Sequence, residues 1–257
     1  MGSEIEQKLV VSFGGGTNSV AGLLALEDRG YMPDLILFAD TGGEKPETYE
    51  TVKTMNDWLR ARNWPQVTTV KKVDKHGDVM TLEENCLDKK MLPSIAYGFK
   101  ACSQKFKIAP QDKFVNNWHV AKEEWKAGRQ LRKVVFFDAD EPRRAAKDYS
   151  DHKYDYWYPL IEWGMGRDDC IDLIKSKGLP LPGKSACFFC PNSKIGEIRA
   201  LNASHPDLMA RAVAMEENAE LTSIKGLGRG HFAWKNVIAT DDMFNYPEAD
   251  MPCECML

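Results

Sequence analysis

The sequence predicts an α/β fold: a mainly parallel five-stranded sheet with helices on both faces, plus a small, mostly helical, cysteine-bearing C-terminal part. Three observations carry this expectation. Short apolar runs alternate with amphipathic stretches through the first third of the chain, a glycine-rich turn follows the first run, and strand signals stop beyond Leu160. Strands separated by helices need crossover connections, which are right-handed and build parallel sheets.

The first strand opens at Leu9, Val10 and Val11 and ends in Ser12-Phe13-Gly14-Gly15-Gly16-Thr17-Asn18-Ser19. A helix follows with Val20, Leu23 and Leu24 at helical spacing, and Gly30 marks its end. Leu35-Ile36-Leu37-Phe38 is a buried strand leading into Ala39-Asp40-Thr41-Gly42-Gly43, and Pro46 begins a helix carrying Tyr49, Val52, Met55 and Leu59. Val67 to Val73 reads as a third strand, and Lys133 to Asp138 as a further one. Residues 74–117 lack clean periodicity and read as an insertion of loops and short helices. Helices near Asp168 to Lys177 and Asp207 to Leu221 bracket a cysteine loop. The expected organisation is therefore a domain over residues 1–155 and a helical part over 156–257.

Composition narrows the function classes. Of 257 residues, 43% are apolar and 28% charged, which is ordinary globular usage and sets disorder and coiled coil aside. No apolar run approaches the length of a membrane span, and the N-terminus is polar, so a cytoplasmic protein with no membrane partner is expected. The formal net charge of -4 supplies no global field for a polyanion, so a nucleotide or nucleic-acid contact must come from local basic clusters. Trp58, Trp64, Trp118 and Trp125 fit core packing, or the interface of a homodimer, better than base stacking.

The strand–glycine turn–helix at Gly14 to Ser19 offers backbone N–H groups and two hydroxyls at a helix N-terminus, a ready anion site suited to phosphate. It is neither a Walker A loop, since no Lys follows the glycines, nor a dinucleotide fingerprint, since the glycines are contiguous. A tight turn capped by Ser19 is the alternative use. Asp40 to Gly43 would lie at the carboxyl end of a strand, where open parallel sheets bind ligands.

The glycine turn resembles the SGGxDS element of the PP-loop adenine nucleotide hydrolases, with Ser12, Gly14, Gly15 and Ser19 fitting and Phe13 inserted. Asn18 stands where that family has Asp, which removes a carboxylate available to a magnesium ion. Phe38-Ala39-Asp40-Thr41-Gly42 followed by Pro46-Glu47-Thr48 is similar to the FxDTG…PET segment of the phosphoadenosine phosphosulfate reductase family. Further likenesses are Cys102 to Pro110, Asp138 to Arg144 and Tyr158 to Trp163, so the resemblance spans nearly the whole chain. It implies a PP-loop, Rossmann-like fold binding ATP or phosphoadenosine phosphosulfate. Gly14, Gly15, Gly16, Thr17, Asn18 and Ser19 would hold the phosphates, and Phe38, Asp40, Thr41 and Gly42 would lie near adenine and ribose. Lys105, Lys107, Arg143 and Arg144 would take a second phosphate or the sulfur-bearing group, through charge and bidentate forks.

Seven cysteines in a chain without a secretory signal favour metal or redox chemistry over a disulfide framework. Cys187-Phe188-Phe189-Cys190-Pro191 places two thiols on one tight loop, and Cys102 and Cys170 are candidates to complete a four-thiolate site. Zinc and a four-iron four-sulfur cluster both accept that set. Cys86 has no motif around it. Cys253-Glu254-Cys255 is a second pair, and Glu254-Cys255 matches part of the ECGxH element with which sulfate reductases of the resembled family attack. Three functions follow as expectations. The first is a nucleotide-dependent sulfur transferase, which activates an acceptor such as a nucleic acid and is supplied by a cysteine desulfurase-like donor. The second is a true reductase using Cys255 with a thioredoxin-like partner. The third is an inactive nucleotide-binding module.

Overall fold

The structure, a computed structural model, describes residues 7–93, 95–96, 99–146, 149–222, 225–228 and 232–239. The chain forms two compact units that interleave in sequence. Unit 1 is Met1–Ala39, Pro46–Val70 and Pro110–Ser185, and unit 2 is Asp40–Lys45, Lys71–Ala109 and Ala186–Leu257. Residue 155, the expected boundary, falls inside a strand of unit 1.

β1 (Leu9–Ser12) is buried at every position, as a strand covered on both faces must be. After the glycine turn comes α1 (Thr17–Asp28), and Gly30 takes φ +76°, the left-handed conformation that ends a helix without a Cβ clash. β2 (Leu35–Asp40) is again wholly buried, and α2 (Pro46–Arg60) starts on its proline. β3 (Val67–Lys71) precedes α3 (Leu82–Asp88), whose first turn is closed by Thr81. The Thr81 hydroxyl accepts from the Glu84 N–H at 3.1 Å, and the Glu84 carboxylate accepts from the Thr81 N–H at 2.9 Å. The two-residue strands β4 (Ile95–Ala96) and β5 (Phe99–Lys100) pair antiparallel. α4 (Ala101–Ser103) runs into a π-helical turn, Gln104–Ile108, and then α5 (Ala109–Asn117) and α6 (His119–Lys126). β6 (Leu131–Val135), a 3-10 turn at Pro142–Ala145, β7 (Tyr154–Trp157), α7 (Pro159–Glu162) and α8 (Arg167–Ser176) follow. α9 (Ile195–Ser204), α10 (Pro206–Asn218) and α11 (Trp234–Ala239) belong to unit 2.

The five-stranded sheet runs in the order β3-β2-β1-β6-β7. β1 pairs parallel with β2 and β6, and β6 parallel with β7, so the expected α/β architecture is the one observed. Alternate residues feed two cores. Leu9, Val11, Ile36, Phe38 and Val134 pack with Leu23, Leu59 and Ile174 of α1, α2 and α8, whereas Val10, Leu35, Leu37 and Leu131 pack with Val115 and Ala121 of α5 and α6. Helices therefore cover both faces. Contact of α1 with the sheet is so close that a Cβ at Gly22 would lie 2.1 Å from the Phe136 ring. Trp58 and Trp64 pack edge to face at 5.8 Å against the first core, and Trp118 and Trp125 against the second. Among the described residues, no helix is long and apolar enough to cross a membrane.

Unit 2 has its own core of Leu82, Phe106, Phe188, Phe189, Ile198, Met209 and Trp234. Its last described segment is tied down by one buried carboxylate. Glu216 on α10 accepts from the N–H groups of Leu227 at 2.6 Å, Trp234 at 2.8 Å and Lys235 at 3.2 Å.

Candidate functional site

Unit 1 holds the glycine loop at the carboxyl end of β1. Ser12 donates from its hydroxyl to Gln111 Oε1 at 3.0 Å, and Phe13 extends the strand with its N–H on the Leu37 carbonyl at 2.8 Å. Gly15 is in the left-handed region at φ +74°, and a Cβ there would lie 2.8 Å from Thr48 Cγ2. Gly16 caps α1. Its N–H donates to Ser19 Oγ at 3.1 Å, and Ser19 Oγ donates back to the Gly16 carbonyl at 2.9 Å, so this hydroxyl serves the loop's own backbone. Thr17 is buried, and the Ser185 hydroxyl donates to the Gly14 carbonyl. The first N–H groups of a helix have no partner within it, so the start of α1 is a place where an anion can be received.

Asn18 is the polar hinge of this loop. Its Nδ2 donates to Asp138 Oδ2 at 2.8 Å, and its Oδ1 accepts from Arg167 Nη1 at 3.0 Å. Asp138 follows β6, and its Oδ1 is buried with no hydrogen-bond partner. Neither Asp138 nor Arg167 stood out in the sequence as a partner of the glycine loop, because 120 and 149 residues separate them from Asn18.

The basic candidates divide. Arg144 donates to Glu141 Oε2 at 2.6 Å and lies 4.0 Å over the Phe137 ring, Arg143 is exposed, and both belong to unit 1. Lys105 is exposed on unit 2. Phe38 is a core residue of unit 1 at 3% exposure.

Unit 2 holds a small pocket whose lining includes Thr41, Cys102, Ser103, Lys107, Cys187 and Cys190. Three of the four thiols expected to bind a metal thus line one pocket. Cys102 and Lys107 reach it from α4 and the π-helical turn, a wide turn often found where function needs a side chain re-aimed. The Cys187-to-Cys190 loop closes with the Cys190 N–H on the Cys187 carbonyl at 3.0 Å, and the Phe188 N–H holds the Gly43 carbonyl at 2.8 Å. Close packing of Gly43, where a Cβ would meet the Phe189 ring at 2.6 Å, brings the Asp40–Lys45 segment against that loop. Gly42, at φ +75°, sits with no room for a side chain beside Thr81.

Below the thiols lies a charged centre. Glu44, with a fully buried side chain, pairs with Lys107 Nζ at 3.0 Å through Oε1, and its Oε2 has no hydrogen-bond partner. Thr41 shares a 3.1 Å hydrogen bond with Cys187 Sγ, and its hydroxyl lies 3.4 Å from Glu44 Oε1. Asp40 accepts from the Gly42 N–H at 2.8 Å and pairs with Lys71 at 3.1 Å, so its carboxylate closes a turn and an ion pair. Burial pushes the Cys187 thiol well above its ordinary range. The Glu44 charge adds to that, while Lys107 and the Thr41 hydroxyl oppose it. Cys187 is therefore a neutral thiol unless a cation joins it.

Cys170 does not line this pocket. It is fully buried in the apolar core of unit 1 beside Ile174, and burial followed by the Asp138 charge pushes its thiol up to about 12. Cys86 is buried in the unit 2 core and likewise raised to about 12 by burial. Cys253 and Cys255 lie outside the described residues. The donor chemistry of Cys102, Cys187 and Cys190 fits a thiophilic metal or cluster. Among the described residues, no three His, Cys, Asp or Glu side chains converge as a metal-holding group.

No protein-family model matches the chain. No curated protein matches it either. Among solved structures, the U34-tRNA thiolase NcsA from Methanococcus maripaludis with its 4Fe–4S cluster is similar over 82% of this chain and 72% of that one, at 14% identity and a TM-score of 0.45.

Proposed function

We propose that the chain is an adenine-nucleotide-dependent enzyme of the PP-loop kind that handles sulfur on the thiols of Cys102, Cys187 and Cys190. The observation that carries this reading is that those three thiols line one pocket together with a cation, Lys107. Cys187 and Cys190 share the apolar core of unit 2 with Cys86. What sets Cys187 apart is the buried carboxylate, the lysine and the threonine hydroxyl gathered around it.

In this reading Gly14 to Thr17 and the first turn of α1 bind the phosphates of ATP or a sulfated adenine nucleotide through N–H groups. Arg167, exposed and oriented by Asn18, adds positive charge to the same loop. Thr41 and Glu44 fix the position of Cys187, and Lys107 offsets the negative charge that a thiolate there would bring. Cys102, Cys187 and Cys190 would hold a four-iron four-sulfur cluster or zinc, and an iron cluster would supply thiophilic iron able to keep a sulfur atom in reduced form. The acceptor would be a molecule that the nucleotide activates by adenylation, a nucleic acid among them, with a cysteine desulfurase-like protein as sulfur donor or a thioredoxin-like protein as electron donor.

The test is anaerobic purification of the wild type and Cys187→Ser, with an ultraviolet–visible spectrum and iron, sulfide and zinc analysis. The expected result is a broad absorbance near about 400 nm with iron and sulfide, or stoichiometric zinc, lost in the variant. A wild type free of iron, sulfide and zinc, or a variant that keeps them all, would sink the reading of this pocket.

A further inference from the structure

The residue at position 18 poses a chemical question that its surroundings answer. Both functions of the Asn18 amide are used, and in only one orientation: Nδ2 gives its proton to Asp138 Oδ2 at 2.8 Å, and Oδ1 receives one from Arg167 Nη1 at 3.0 Å. An aspartate at this position could not donate to Asp138 and would set a second negative charge against it. Asn18 is therefore matched to a carboxylate that arrives from the end of β6.

That carboxylate is incomplete. Asp138 is 4% exposed, and while Oδ2 is held by Asn18, Oδ1 is buried without a hydrogen-bond partner. Leaving a buried carboxylate oxygen bare is costly, and such an atom calls for a partner that completes it. The nearest charged group on the amide bridge, Arg167, reaches Asn18 and not Asp138, and its backbone N–H is spent on Asp140 Oδ2 at 2.7 Å. Arg167 itself is exposed. The arrangement leaves a fixed carboxylate oxygen at the carboxyl end of a parallel strand, one amide away from the helix N-terminus that receives phosphates.

We infer that Asp138 is the carboxylate ligand of a magnesium ion that accompanies the nucleotide phosphates, with Asn18 as its positioning residue. The inference rests on reading the glycine loop as a nucleotide site. Mg²⁺ is commonly bound by one or two carboxylates together with substrate phosphates and waters, which is the ligand set this loop can assemble. The carboxylate that the glycine loop lacks at position 18 is supplied from β6, and the Asn18 amide holds its second oxygen in place.

Calorimetric titration of ATP, in excess Mg²⁺ and in EDTA, into the wild type, Asp138→Asn and Asn18→Ala tests this without an activity assay. Wild type is expected to bind ATP about tenfold or more tightly with Mg²⁺ than without, and Asp138→Asn to bind it equally in both. Asn18→Ala, which releases Asp138 Oδ2 without adding a charge, should show a smaller gain on adding Mg²⁺ than the wild type. It serves as the deciding variant if circular dichroism shows Asp138→Asn unfolded. ATP binding that ignores Mg²⁺ in the wild type overturns the inference alone. So does a folded Asp138→Asn that keeps the full Mg²⁺ gain, or a folded Asn18→Ala whose gain equals that of the wild type. A wild type that binds no ATP under either condition overturns the nucleotide reading and the inference with it.

Discussion

Replacing Lys107 by Met removes the cation from Glu44, whose side chain is fully buried while that of Lys107 is only 22% exposed. The Glu44 carboxylate would then keep a 3.4 Å approach from the Thr41 hydroxyl and a 3.9 Å approach from the Cys187 thiol. Neither carries a charge. Removing one member of a buried pair costs about 3–5 kcal/mol because the other charge is stranded. With Lys107 about one-fifth open to solvent, the lower end, roughly 3 kcal/mol, is the expected loss. Glu44→Gln relieves the stranded charge, so the double variant Glu44→Gln, Lys107→Met should recover more than half of it, giving a coupling of about 2 kcal/mol. Urea unfolding of the four proteins, followed by the tryptophans, measures this. A Lys107→Met protein within about 0.5 kcal/mol of wild type, or four proteins whose losses simply add, would refute the claim that this pair anchors the thiol pocket.

Three further outcomes follow from packing and charge. Glu216→Ala should cost about 3 kcal/mol, because three N–H groups of the Leu227–Lys235 segment lose one ionised acceptor, and amide hydrogen exchange should show Trp234 and Lys235 deprotected first. Gly22→Val should destabilise by about 3 kcal/mol or more, read as a shifted urea midpoint, since its side chain would enter the Phe136 ring. Thiols raised to about 12 are protonated at pH 8 and ionise only as the pH climbs toward that value. Iodoacetamide mapped by mass spectrometry at pH 8 should therefore label half-buried Cys102 while leaving Cys86 and Cys170 unlabelled in the folded protein.

Much of the architecture was legible because it is written in local patterns. The apolar runs of β1 and β2, the glycine turn between strand and helix, Pro46 and Gly30 each specify their own neighbourhood and needed no distant information. β7 was not legible as a strand: Tyr154-Asp155-Tyr156-Trp157 is an edge with only Tyr154 buried, so its apolar signal is weak. Discontinuity of the two units was also hidden, since five chain crossings between them leave no composition shift. For the site, the CxxC loop and Cys102 were visible as motifs. No motif marks the buried Glu44, and only its ion pair with Lys107, 63 positions later, shows what it does. Cys170 had the residue type of a ligand but the surroundings of a core residue, beside Ile171 and Ile174, and it is the core that claims it. Ser19 has the residue type of a phosphate ligand and of a helix cap, and its hydroxyl bridges the Gly16 backbone.

The central claim is that the glycine loop of unit 1 binds an adenine nucleotide, and equilibrium titration of ATP into the wild type and Gly15→Val tests it most directly. Gly15 has a left-handed backbone and no space beside Thr48, so valine there must deform the loop. The account expects one ATP bound per wild-type chain, with GTP much weaker, and no measurable ATP binding by a Gly15→Val protein that still shows the wild-type circular dichroism spectrum. A folded wild type that takes up no ATP, or a Gly15→Val protein that binds it as tightly as the wild type, would contradict the account.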